Sequence, residues 1–261
     1  MFFKTVPIRF YLFAQRQQKG SPLLSGSPSS LYLFSTLIMQ FLQYFFYLAT
    51  NWNISIAWHI VRNEISGEKK YGINTTGADS LKHLEKKGID ISHATIYMPA
   101  SYDILEMFFM EIKLASFNHF LDIGCGKARA MCVAAAFGIM KISGIELSKE
   151  LYNAAKENIA VTKEKYPATD FKIYNNDAFY FDVDDDIDCI FMFNPFDETI
   201  MSGVMENIET SLENNPRDMT IVYINPLEKH VLQDWGYEEI FHYKKMHYLE
   251  GSVFVKLKEG H

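Results

Sequence analysis

Cysteine is scarce in this chain: Cys125, Cys132 and Cys189 are the three in 261 residues. An odd count at scattered spacings excludes a disulfide framework and gives no zinc pattern. All three sit among apolar or small residues, which suits buried thiols in a reducing compartment. Positive charge is also short, with 25 Lys and Arg against 32 Asp and Glu and a net charge of -7. Phosphate neutralisation needs clustered cations, so the balance argues against non-specific nucleic-acid binding. A small molecule or a basic protein stays open as substrate. Acids are missing from residues 1–30, which hold Lys4, Arg9, Arg16 and Lys19. From Gly20 to Val61 there is no Lys, Arg, Asp or Glu at all.

That uncharged stretch contains LYLFSTLIMQFLQYFFYLAT (31–50), long enough for a membrane span. A span would leave the basic N-terminus in the cytoplasm and carry the rest of the chain outside. A signal peptide would have an overlong basic region. The reading adopted is a helix docked on a cytoplasmic domain, with membrane association through 31–50 as the alternative. Gln40, Gln43, Thr50 and Asn51 fall on one side at helical spacing, and Phe41, Phe45, Leu48 and Trp52 on the other. Met39 opens this helix, so residues 1–38 are read as a disordered or over-extended N-terminus. Residues 39–94 are read as a helical extension. In it, WHIVRNEISGEKKYGINTTG (58–77) ends the helical run and turns at Gly67, Gly72 and Gly77. SLKHLEKKGIDISHA (80–94) reads as a short helix stopped by Gly88, and His83 and His93 have no metal-like partners.

From residue 95 to 261 the pattern changes to alternation. Helices are expected at 102–116, 127–137, 148–166 and 198–213. Strands are expected at 118–123, 141–146, 170–175, 187–194 and 218–224. Two period-two runs, 236–245 and 251–258, look like a closing antiparallel pair. Such alternation builds a doubly wound, mostly parallel α/β sheet covered on both faces, here Rossmann-like with seven strands and an antiparallel last strand. Ligands of such sheets bind beyond the carboxyl ends of the strands.

The motif-like residues fall at those ends. FLDIGCGKAR (120–129) ends a strand in Asp122 and then turns through Gly124, Cys125 and Gly126. The glycines allow close backbone approach to a ligand, and the following helix points its N-terminus there. Glu146 follows the second strand, 20 residues past Gly126, where an acid would accept from two ribose hydroxyls. A nucleoside is thus implied. A dinucleotide fingerprint would need glycine at 129, and Arg129 stands there instead, which disfavours a nicotinamide-dependent oxidoreductase. DVDDDID (182–188) lacks a glycine-turned ligand loop and reads as a solvated acidic loop, with no metal expected.

In order and spacing these stretches resemble the class I S-adenosylmethionine-dependent methyltransferases. FLDIGCGKAR resembles their first motif, GIELSKE the second and NNDAFYF (175–181) the third, while IFMFNPF (190–196) falls where the fourth closes the active site. The departure is Ala128, where many members have a third glycine. The resemblance implies S-adenosyl-L-methionine as cofactor, with Gly124 and Gly126 under its methionine part. It implies Glu146 on the ribose, Leu147 against the adenine, Asp177 accepting from the adenine amino group and the Ala178 N–H reaching a ring nitrogen. ATIYMPASYDILEMFF (94–109) resembles the segment ahead of the first motif in lysine methyltransferases that lack a SET domain, among them the mitochondrial enzyme acting on ATP-synthase c-subunit. By that likeness Tyr97 and Ser101 would close over the methionine end.

Methyl transfer to an amine needs a neutral nitrogen whose lone pair faces the methyl, in line with the leaving sulfur. The Asn194 side-chain oxygen and the Pro195 carbonyl could accept the amine's N–H groups, and Phe196 could cover a flat or cationic group. The amino-methylating members carry a second proline in this turn, which is absent here. The expected activity is methyl transfer to an amine of a protein or small molecule. A non-catalytic cofactor-binding scaffold is the alternative.

Overall fold

A computed structural model describes residues 41–42, 44–46, 48–50, 53–76, 99–193, 196–245 and 249–258. The expectations for residues 1–38 and 80–94, and for Tyr97, Asn194 and Pro195, lie outside the described residues.

Seven strands form one sheet in the order β3-β2-β1-β4-β5-β7-β6. They are β1 Phe120–Ile123, β2 Lys141–Ile145, β3 Asp170–Tyr174, β4 Cys189–Phe193, β5 Met219–Ile224, β6 Glu238–Lys245 and β7 Leu249–Lys256. The first five run parallel, and β7 inserts antiparallel between β5 and β6. The sheet is thus Rossmann-like, as the alternation predicts. Strand order reverses between β1 and β4, and this switch point faces the glycine turn.

Period-two alternation sorts the strand residues into two cores. Phe120, Phe191, Val222 and Val253 point to one face. Leu121, Ile190, Ile221 and Phe254 point to the other. On the first face lie helices α1 (Ile54–Tyr71), α2 (Tyr102–Glu111), α3 (Arg129–Ala136) and α4 (Lys149–Lys165). On the second lie α5 (Glu198–Asn214) and α6 (Lys229–Asp234). Phe109 on α2 meets the edges of Phe120, Phe137 and Phe191 at centroid distances of 5.6, 5.7 and 6.0 Å. Such edge-to-face contacts add to area burial and fix α2 over β1 and β4.

Helix α1 begins at Asn53, whose Oδ1 accepts from Ile56 N at 2.9 Å. It ends at Gly72 in the left-handed region (φ 73°), as its glycine predicts. The expected turn at Gly67 is corrected: Gly67 lies inside α1, because a Cβ there would come within 2.2 Å of the Tyr102 ring. That glycine serves helix–helix contact. Upstream, the described residues of 41–50 are helical. Phe41, Tyr44, Phe45 and Leu48 pack on Ala57, Ile60 and Val61 of α1, the docked arrangement that the apolar side of this stretch predicts. Among the described residues no helix is long and apolar enough to cross a membrane.

Candidate active site

The glycine turn hangs on the end of β2. Gly124 N and Cys125 N both donate to Ile145 O, at 3.0 and 2.9 Å. Gly124 and Gly126 have φ of 75° and 56°, backbone that a side chain would strain. Ala128 also lies in the left-handed region (φ 65°) and bears that strain, which accounts for glycine as the commoner choice in the resemblance.

Glu146 buckles the two loops. One carboxylate oxygen accepts from Gly126 N and the other from Ser148 N, each at 2.8 Å. The side chain is only 7% exposed. Burial raises its pKa, and the bonds from backbone amides counter part of that rise. Ser148 also caps α4, accepting from Leu151 N at 3.3 Å as its position predicts. Asp122 lies on the α3 face of β1, 3% exposed, and makes no hydrogen bond among the described residues. Burial and the nearby Glu146 push its carboxyl well above the usual range. Burial likewise raises Cys125, so it is a neutral thiol, and all three cysteines are free and buried, as expected.

Asn175, at the end of β3, donates to Glu146 O and Leu147 O, both at 2.9 Å. It ties the second loop to the third, where Asp177 and Ala178 lie. The Asp177 carboxylate caps the short 3-10 turn Ala178–Tyr180, accepting from Phe179 N at 3.0 Å. Thus Asp122, Gly124, Cys125, Gly126, Glu146 and Leu147 come together, with Asp177 and Ala178 one loop away. Phe196 packs partly into the second core. Ser101 stands at the N-cap position of α2, but its hydroxyl donates to Asp103 Oδ1 at 2.5 Å rather than capping the helix.

Arg129 opens α3, where its bulk could crowd the close packing of helix and strand. Instead the side chain turns away from the sheet to Glu64 of α1, with Nη1 donating to Glu64 Oε1 at 2.7 Å and Nη2 to Oε2. Nε donates to Thr75 Oγ1 at 2.7 Å, Nη1 also reaches Ala100 O at 2.9 Å, and the guanidinium lies 4.1 Å over the Tyr102 ring. The close helix–strand approach is served from the strand side. A Cβ on Gly144 of β2 would lie 2.4 Å from Met131 Sδ of α3. The segment after α1 is strapped beside the turn as well. Asn158 Oδ1 accepts from Asn74 N at 2.8 Å, while its Nδ2 donates to Asn74 O at 3.1 Å and to Lys127 O at 3.0 Å. Arg129, Asn158 and Asn175 were missed, since their partners lie from 28 to 84 residues away along the chain.

At the opposite, amino edge of the sheet the acidic run is braced rather than merely solvated. Asp186 pairs with His119 Nδ1 at 2.8 Å and with Lys141. Asp188 accepts from the backbone amides of Asn118 and His119. His119 uses its other ring nitrogen on Ser143 Oγ at 2.8 Å.

Residues 121–215 match the family model described as a methyltransferase domain. The match spans the glycine turn, Glu146, the third motif and β4. The chain is also similar to several solved structures. One is a ribosomal protein L11 methylase from Lactobacillus delbrueckii subsp. bulgaricus, at 15% identity over 59% of this chain and 78% of that one, TM-score 0.46. Another is a SAM-dependent methyltransferase from Aquifex aeolicus, at 14% identity over 58% and 88%, TM-score 0.44. A third is a magnesium protoporphyrin IX methyltransferase from Synechocystis PCC 6803 with bound SAM, at 12% identity over 60% and 77%, TM-score 0.44. The search of curated proteins gave no match.

Proposed function

We propose that this domain binds S-adenosyl-L-methionine and transfers its methyl group to an amine nitrogen of a protein or small molecule. The observation that carries the reading is the pair of buried carboxyls at the glycine turn. Glu146 is held by backbone amides with lone pairs to spare, and Asp122 has no hydrogen-bond partner among the described residues. Acids in that state favour a ligand that brings hydroxyls and positive charge, and they oppose a pyrophosphate. The residues therefore fit a sulfonium nucleoside better than a dinucleotide.

The bound cofactor would supply an electrophilic methyl on a cationic sulfur. Gly124 and Gly126 would let the backbone close on it, Glu146 would accept from its ribose hydroxyls, and Leu147 would lie against the base. Asp177 and Ala178 would read the adenine edge. Tyr97 and Ser101 would cover the methionine end. Asn194 and Pro195 would accept from the acceptor amine and aim its lone pair, with Phe196 over it. Support for a cationic acceptor comes from the rim beyond β4 and β5, where Glu198 and Glu228 approach His230 at 3.6 and 3.8 Å. An amine drawn in as ammonium must lose its proton before attack, so turnover should rise with pH until that proton is gone.

Calorimetry with S-adenosylhomocysteine against NAD tests the cofactor. Labelled-methyl transfer into a cell extract, sorted by molecular size, tests the acceptor. Binding of NAD in place of S-adenosylhomocysteine would overturn the reading, and binding without any transfer would favour a scaffold.

A further inference from the structure

Helix α1 carries two acids, and neither faces outward. Glu64 is buried against Arg129, and Glu68 accepts from Thr75 N at 2.7 Å and Thr76 N at 2.6 Å. Its exposed residues are Ile54, Ser55, Trp58, Arg62, Ile65, Ser66, Lys69 and Lys70. At 3.6 residues per turn, Ile54, Trp58, Arg62, Ile65 and Lys69 fall within about 80° of arc. Ile54, Trp58 and Ile65 are 71, 65 and 49% exposed. Leu42 and Phe46 of the preceding helical stretch, whose other side packs on α1, are also exposed. This layer therefore holds five of the twelve exposed large hydrophobics among the described residues.

We infer that this outward face of the N-terminal helices docks on an anionic lipid surface. Three observations select that occupant. Apolar side chains including a Trp share one arc with cations and no acid, the composition of a helix lying in a membrane interface. The face is basic although the whole chain carries a net charge of -7, which gives it charge complementarity to acidic headgroups. The chain leading into it is uncharged from Gly20 to Val61 and is preceded by four cations without an acid in residues 1–30, so the sequence continues the same apolar and basic character. The inner sides of these helices are already used, by the packing of Leu48 on Val61 and by the Glu64–Arg129 pair. Among the described residues nothing covers the outer side, which can lie on a surface while the inner side stays on the domain. The inference does not rest on the methyl-transfer reading, although an enzyme so held would meet acceptors presented at that surface.

The test is sedimentation of the full chain with vesicles of phosphatidylcholine alone and of phosphatidylcholine mixed with phosphatidylserine. The parent should bind the mixed vesicles more tightly, and added salt should weaken that binding. Trp58→Glu with Ile65→Glu should lower partitioning by at least about tenfold. Arg62→Glu with Lys69→Glu should lower it by about tenfold or more and abolish the preference for phosphatidylserine. An unchanged urea midpoint in both variants shows that the loss is not unfolding. Three results would overturn the inference: no vesicle binding by the parent, binding by the Trp58 and Ile65 variant within about twofold of the parent, or a concentration-dependent dimer that the same variant dissolves.

Discussion

Asp186 and Asp122 stand at opposite edges of one sheet, and their carboxyls are pushed in opposite directions. At the amino edge Asp186 meets Lys141 and His119, and although burial works against it, those two hydrogen bonds bring it down to about 2. At the carboxyl edge Asp122 meets only burial and another acid, and its pKa rises well above the ordinary value. Glu146 beside it is raised as well, held by amides and by no cation. At the amino edge Asp186 and Asp188 both have their donors. The carboxyl edge leaves Asp122 without a hydrogen bond among the described residues, and such groups collect where a ligand is to complete them. Glu64 is the third case: an acid as deeply buried as Asp122, yet matched by a guanidinium.

The largest effect is expected from making Glu64 resemble Asp122. Arg129→Met strands a buried carboxylate, and breaking such a pair costs about 3–5 kcal/mol. Urea denaturation should show it, and adding Glu64→Leu should recover most of the loss. A loss under about 1 kcal/mol would mean that the pair is not buried in solution. Next comes Glu146→Ala, which removes the charged acceptor and frees the amides of Gly126 and Ser148. Affinity for S-adenosylhomocysteine should fall by about a hundredfold, near 2.7 kcal/mol, by calorimetry. Asp186→Asn should leave that affinity unchanged and cost about 1 kcal/mol of stability or less, since Asp186 is half exposed. Equal effects of these two substitutions on affinity would erase the distinction between the edges.

pH separates the edges by sign. A raised carboxyl contributes stability that is full below its unfolded value near 4 and is lost as pH rises through its folded value. Asp122 and Glu146 therefore weaken the ligand-free domain as pH rises above about 4, and Asp122→Asn should flatten that decline in the urea midpoint. Asp186 acts oppositely: its contribution is present above 3.8 and is lost as pH falls towards about 2. Affinity for S-adenosylhomocysteine should likewise drop as the two raised carboxyls take up protons. The smallest effect is that of Ala128→Gly. Relief of left-handed strain, about 1 kcal/mol, is offset by a lost buried methyl of about 0.8 kcal/mol, so the urea midpoint should hardly move.

Much of the domain was legible because its signals are local. Ser148, Gly72 and the alternation of β1 to β5 report their roles within a few residues, and each lies where the pattern predicts. Gly67 misled for the same reason. Locally it reads as a helix stop, and only the ring of Tyr102, 35 residues on, shows why a helix passes through it. The acidic run was read as solvent-facing because nothing nearby in sequence announces His119 or Lys141 as partners. Short α6 left no signal, since six residues give too little periodicity to register.

The sequence by itself determined the order of strands and helices, the bend at Gly124 and Gly126, and the acid after β2, since backbone preference and hydrophobic period act over a few residues. Tertiary structure alone decided where Arg129 points, which acids of α1 turn inward, and which carboxyls find a donor. Arg129, for one, meets Thr75 and Glu64 from 54 and 65 residues away. A buried charge accepts whichever partner the packed fold delivers to it, and no short stretch of sequence names that partner.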